Sequence, residues 1–202
     1  MTIGRLSALA IGIVLPAILR AGLCSADDRR PRHDFQFVAG YSPASATLIG
    51  TATDRRLVLA GFAYSYRCWS WNSVSLSYTA AAMPAAILIQ PYEGNVPAHA
   101  VYGFAVAPVG FTFALARKRR VHPFIETAGG IVASTEPIPE NQLDASGLNF
   151  FFDLGGGVRW RVGERGAVSL GYRFFHISNA GTTSFNPGVD NNVFYVGYSF
   201  LR

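Results

Sequence analysis

Near the C-terminus, His176-Ile177-Ser178-Asn179 closes an alternating stretch, and Asp190 follows after a segment containing Gly, Asn and Pro. A serine hydroxyl is a weak nucleophile until a base takes its proton. Imidazole does this best when a carboxylate fixes its tautomer and steadies the imidazolium. On an extended strand, residues two apart project from one face, which brings His176 and Ser178 within hydrogen-bonding reach. That face also carries Leu170, Tyr172 and Phe174, with Arg173 opposite. The chemistry expected is acyl transfer to Ser178, with His176 as general base, and then to water. Asn179 and Asn186 are candidate donors to the developing oxyanion. A nucleophile and base on the apolar side of a strand suit a lipid substrate, if that side faces a bilayer.

These groups need strands to hold them. Beyond residue 32, helical periodicity is scarce and period-2 alternation recurs, rich in aromatic, β-branched and glycine residues. The pattern predicts eight strands, at 33–42, 55–67, 71–82, 99–115, 120–133, 148–162, 167–178 and 191–201. Connections after the second, fourth and sixth are tight: Cys68 to Ser70, Ala116 to Lys118 and Gly163 to Gly166. The others are long and rich in Gly, Pro, Asn and Ser. Short turns alternating with long loops indicate an antiparallel up-and-down outer-membrane β-barrel with long loops at the cell surface. Phe150, Phe152, Leu154, Val158 and Trp160 then face lipid. Glu126, Asp153, Arg159, Arg161 and Arg173 gather in a lumen filled by side chains rather than a pore. A soluble sandwich or lipocalin-like barrel gives the same alternation with its faces reversed; the loop pattern favours the membrane. Asp190 shares the parity of Phe194, Val196 and Tyr198, so it should stand outward beside His176 and Ser178 on the last two strands.

Composition agrees. A mean hydropathy of +0.24 without an 18-residue uncharged apolar run in the mature part suits strands that alternate between lipid and lumen. The net charge of +5 comes from scattered residues or short runs such as Arg117-Lys118-Arg119-Arg120, which does not suit nucleic acid binding. Arg5, the apolar Leu6 to Leu19 and the small residues Cys24-Ser25-Ala26 read as an export signal at 1–26, leaving 27–202 as the barrel. Cys68 is then the lone cysteine, so no intramolecular disulfide is expected. His33, His99 and His122 have no companions at metal-ligand spacing, and neither a metal nor another cofactor is expected. Gly155-Gly156-Gly157 lies in a strand and marks a bend or a close backbone approach. From spacing alone, Ser178-Asn179-Ala180-Gly181 also reads as ordinary loop and His176 as an interfacial polar tip.

The run from Tyr172 to Gly181, followed by Asn186-Pro187 and an acid at 190, resembles the C-terminal signature of the PagL-type lipid A deacylases, often labelled acyloxyacyl hydrolases. The resemblance implies an outer-membrane esterase that removes the 3-position acyl chain of lipid A with a serine, histidine and acid triad and no metal. It assigns His176 as base, Ser178 as nucleophile and Asn179 and Asn186 as polar site positions. The implied partners are lipopolysaccharide and outer-membrane lipids, with a homodimer left open. Asp190 departs from the glutamate of the family pattern and is one methylene shorter, so its bond to His176 is expected to be stretched unless the strands lie closer. The alternative is a non-catalytic structural barrel that retains a degenerate motif.

Overall fold

The computed structural model describes residues 32–116, 118–140 and 142–202. The expected export signal lies outside them. The described residues form one antiparallel sheet: β1 (His33–Ser42), β2 (Ser45–Ala46), β3 (Arg56–Trp71), β4 (Val74–Gln90), β5 (His99–Ala114), β6 (Val121–Ile138), β7 (Ser146–Val162), β8 (Gly166–Ser178) and β9 (Gly188–Leu201). Each long strand pairs with the next, and β1 pairs with β9 from Asp34↔Leu201 to Tyr41↔Phe194, which closes an eight-strand barrel. The two-residue β2 continues β1 along β9. The chain ends meet at the tight-turn end, where the amide of His33 donates to Arg202 O at 2.8 Å.

The faces follow the alternation. Phe150, Phe152, Leu154, Val158 and Trp160 on β7 are exposed, as are Phe194, Val196, Tyr198 and Phe200 on β9. Their inward neighbours form two layers. At the long-loop end the lumen is apolar: Leu57, Leu88, Val101, Val132, Ile177, Val189 and Val193 are buried there, and Phe151 stacks on Phe175 at 4.6 Å. Towards the tight-turn end it is ionic. Arg173 pairs with Glu126 at 2.9 Å and Asp153 at 3.2 Å, and its guanidinium lies 4.4 Å over the Tyr195 ring. Arg159 pairs with Asp34 at 2.7 Å, and Arg161 lines the cavity at the mouth. The expected charged gathering is present, and side chains fill the lumen.

Three bulges shift the expected boundaries. The turn predicted at Cys68 to Ser70 falls instead at Asn72 and Ser73, with Asn72 at φ 53°. An irregularity between Arg67 and Trp69 absorbs one residue and lets β3 run on to Trp71. Another between Met83 and Ala86 accommodates Pro84, whose missing N–H would interrupt a regular ladder, so the apolar stretch to Ile89 stays in β4. The third, between Ala133 and Ile138, extends β6 to Ile138. Within β7, a Cβ on Gly156 would lie 2.6 Å from Phe124 O, so the glycine run marks close backbone approach, as expected.

Candidate functional site

The β8–β9 hairpin carries the site. Its ladder sets His176 directly opposite Asp190 and Ser178 opposite Gly188, with Asn179 to Pro187 looping between. Direct opposition on one face brings side chains to the closest cross-strand separation. His176 Nδ1 and Asp190 Oδ1 are 2.5 Å apart. The shorter acid is therefore not stretched, because the two residues occupy the same rung. With Nδ1 engaged, Nε2 is the nitrogen left to exchange protons. A Cβ on Gly188 would lie 2.7 Å from Cε1 and 3.4 Å from Nε2. The imidazole thus lies over Gly188, on the rung of Ser178, in space that any larger residue would fill.

Outward parity does not make these groups open to the bilayer. Leu170 and Phe194 on the same faces are 64% and 60% exposed, whereas His176 and Ser178 are each 6% exposed and Asp190 is fully buried. The cover is the loop after β1. β2 pairs Ala46 with Asp190, and the chain then folds over the carboxylate. The amides of Leu48, Ile49 and Gly50 donate to Asp190 Oδ2 at 2.8, 2.6 and 2.9 Å. Thr51 and Ala52 donate to Gly188 O at 3.0 and 3.1 Å. Three converging amides form an anion-binding concavity of the kind that successive backbone N–H groups make. A Cβ on Gly50 would lie 2.5 Å from the Gly188 carbonyl carbon, so only glycine permits this approach. The base of the loop is tied by Arg55, which donates to Gln90, Thr53 O and Glu93 at 3.2, 2.7 and 2.8 Å. Sequence reasoning missed this segment; backbone donors leave no residue-type signature beyond Gly50.

Ser178 Oγ accepts from the Ala180 amide at 3.4 Å, and among the described residues no hydrogen bond joins it to His176. The side chain of Asn179, an expected oxyanion donor, is engaged within its own loop. Its Nδ2 donates to Thr183 Oγ1 at 2.7 Å, Phe185 O at 2.9 Å and Asp144 O at 3.3 Å, and its Oδ1 accepts from the Gly181 amide at 2.9 Å. Buried and fully engaged, Asn179 organises the loop that presents the Ala180 amide, with Ala180 at φ 55°. Asn186 is exposed on that loop. Phe150 and Phe152, the β7 partners of Ser178 and His176, give the site an apolar flank, with the Phe152 ring 5.3 Å from the imidazole.

A family model described as lipid A 3-O-deacylase (PagL) matches residues 59–199, which include His176, Ser178 and Asp190 but begin after the Leu48–Gly50 amides. The curated lipid A deacylase PagL of Pseudomonas aeruginosa is 31% identical over 105 residues, 52% of this chain and 57% of that protein. The chain thus spans little more than half the length of that relative. Among solved structures, the outer-membrane enzyme PagL superposes with a TM-score of 0.60 at 20% identity, covering 84% of this chain and 99% of that one. Neisserial surface protein A superposes at 0.56 with 11% identity, covering 87% and 100%. At these identities the superpositions speak for the fold.

Proposed function

The chain belongs to the lipid A 3-O-deacylase (PagL) family of the bacterial outer membrane, and from that premise we propose that it hydrolyses an ester-linked acyl chain of lipid A, the 3-position chain by family. Ser178 Oγ attacks the ester carbonyl while His176 Nε2 takes its proton. Asp190 holds the ring by Nδ1 and balances the imidazolium. The imidazolium then protonates the departing sugar oxygen. Water, activated by the same nitrogen, releases the fatty acid from Ser178. The Ala180 amide, near Oγ, and Asn186, on the same loop, are the donors proposed for the oxyanion. Phe150 and Phe152 offer the acyl chain an apolar flank.

The observation that carries this reading is the buried pair of His176 and Asp190, the acid fixed by three amides and the histidine left with one unengaged nitrogen. In lipid A extracted from cells expressing the wild type, mass spectrometry should show the loss of one hydroxyacyl chain. Ser178→Ala and His176→Asn should leave lipid A intact while the barrel still shows heat-modifiable mobility. Unaltered lipid A in wild-type cells refutes the assignment. The rival reading, a non-catalytic structural barrel, draws on Ser178 bonding Ala180 rather than His176. Catalytic hydrogen bonds commonly tighten only with substrate bound, so that geometry does not disqualify Ser178.

A further inference from the structure

At the long-loop end, on β5 and β6 rather than the β8–β9 hairpin, three side chains from two neighbouring strands and a loop converge. His99 opens β5, Glu136 lies near the end of β6, and Glu140 follows two residues after the strand. His99 Nε2 lies 3.2 Å from Glu136 Oε2 and 3.0 Å from Glu140 Oε2, and the three atoms all lie within 4.8 Å of one another. We propose that His99, Glu136 and Glu140 form a binding site for a divalent metal of the zinc class.

Three features support it. The two nitrogen–oxygen separations suit a coordination polyhedron: zinc bonds of about 2.0–2.1 Å place adjacent ligands of a tetrahedron about 3.3 Å apart. The ring is oriented from behind, since Nδ1 lies 3.0 Å from Pro97 O. A proton on Nδ1 donated to that carbonyl leaves the Nε2 lone pair facing the two carboxylates, the outer-shell arrangement of metal-ligating histidines. The backbone beneath the acids is also braced, with Ser134 Oγ donating to Glu136 O at 2.7 Å and Thr135 Oγ1 to Tyr102 O at 3.2 Å. One nitrogen with two carboxylate oxygens suits zinc better than calcium or magnesium, which prefer oxygen alone. Sequence spacing hides the set, because the glutamates lie 37 and 41 positions from the histidine (136 − 99 and 140 − 99).

The competing occupant is a proton. A proton on Nε2 would be donated to the Glu136 and Glu140 carboxylates at 3.2 and 3.0 Å, so a metal must displace it. Bound there, the ion clips the β6–β7 connection to β5. That connection also carries Asp144, whose carboxylate accepts from the Phe185 amide at 2.7 Å and whose carbonyl takes Asn179 Nδ2. The clip would therefore brace the loop that follows Ser178.

The test needs no substrate, so its failure and that of the esterase reading are distinguishable. Purified full-length barrel in detergent micelles is titrated with zinc against a chromophoric chelator at about pH 8, above the usual histidine range. One equivalent of zinc should bind, and His99→Ala and Glu140→Gln should each weaken it about tenfold or more. Heat-modifiable mobility confirms that both variants are folded. Absence of zinc binding by the wild type, or binding unchanged in both variants, overturns the proposal and leaves the cluster as a protonated histidine between two acids.

Discussion

Asp190→Glu puts the site geometry to its severest test, because glutamate is the acid of the family pattern this sequence resembles and so looks the most conservative change available. The carboxylate of Asp190 is held at both ends, with Oδ1 2.5 Å from His176 Nδ1 and Oδ2 2.6 to 2.9 Å from three amides. One more methylene moves the carboxylate about 1.3 Å outward along its own axis, from the length of a C–C bond. The side chain is fully buried beneath residues 48–50, so no free volume receives it. Either the loop is pushed away, or the carboxylate folds back and abandons the imidazole. Overpacking of this kind costs about 1–3 kcal/mol. Misplacing a catalytic group by about 1 Å costs about 10²-fold in rate. Asp190→Glu should therefore retain about one hundredth of the wild-type kcat, or about 2.7 kcal/mol of transition-state stabilisation. Asp190→Asn, which presents the wrong partner to Nδ1, should fall by about 10⁴-fold. Single-turnover release of the acyl chain from lipid A in mixed micelles, followed by mass spectrometry, gives both values. An Asp190→Glu enzyme as fast as the wild type, or faster, refutes the claim that the 48–50 amides and the short acid are matched.

Gly50→Ala should lower turnover by about tenfold or more while the barrel still folds, because its methyl group collides with the Gly188 carbonyl and lifts the amides from Asp190. Leu48→Ala and Ile49→Ala, both at exposed side chains, should leave turnover within about twofold, since their contribution is backbone; a large loss in either would assign the role to side chains. Gly188→Ala should abolish activity by occupying the space of the His176 ring, and His176 should then show altered ring resonances by NMR. Arg173→Met leaves Glu126 and Asp153 as neighbouring carboxylates without their cation; destabilisation of about 3–5 kcal/mol is expected, read as a lowered urea midpoint in micelles.

The barrel was legible because lipid and lumen impose a period of two, which Phe194 to Phe200 display throughout and Phe150 to Trp160 display on either side of the glycine run. Strand ends were less legible. At Arg67/Trp69 and Met83/Ala86 a bulge absorbs residues without altering composition, so nothing near Cys68 announces that β3 continues to Trp71. That His176 and Asp190 stand beside one another could be inferred from outward parity and strand adjacency, whereas their sharing of one rung could not. Nor could the roles of Asn179 and of the loop after β1. Asn179 has the residue type of an oxyanion donor, and only the structure reveals that its amide is bonded to Thr183 and Phe185 within the loop.

The loop also resolves an energetic difficulty in placing the proposed triad on the outer face of a membrane barrel. A carboxylate turned towards hydrocarbon loses its hydration, and one histidine does not replace it. Water at the cell surface would restore hydration but would also weaken the electrostatic grip of the acid on the imidazole. Residues 48–50 supply a third environment: fixed amide dipoles that satisfy Oδ2 while excluding both lipid and water, so that Oδ1 remains for Nδ1 alone. Because these donors are backbone groups, side-chain identity at 48 and 49 is free to vary, whereas the length of the loop and the glycine at 50 are not. The acid at 190 and the loop before β3 therefore act as one unit. Shortening the loop by one residue should cost as much activity as replacing the acid, and a longer acid should be tolerated only with a loop that stands further off.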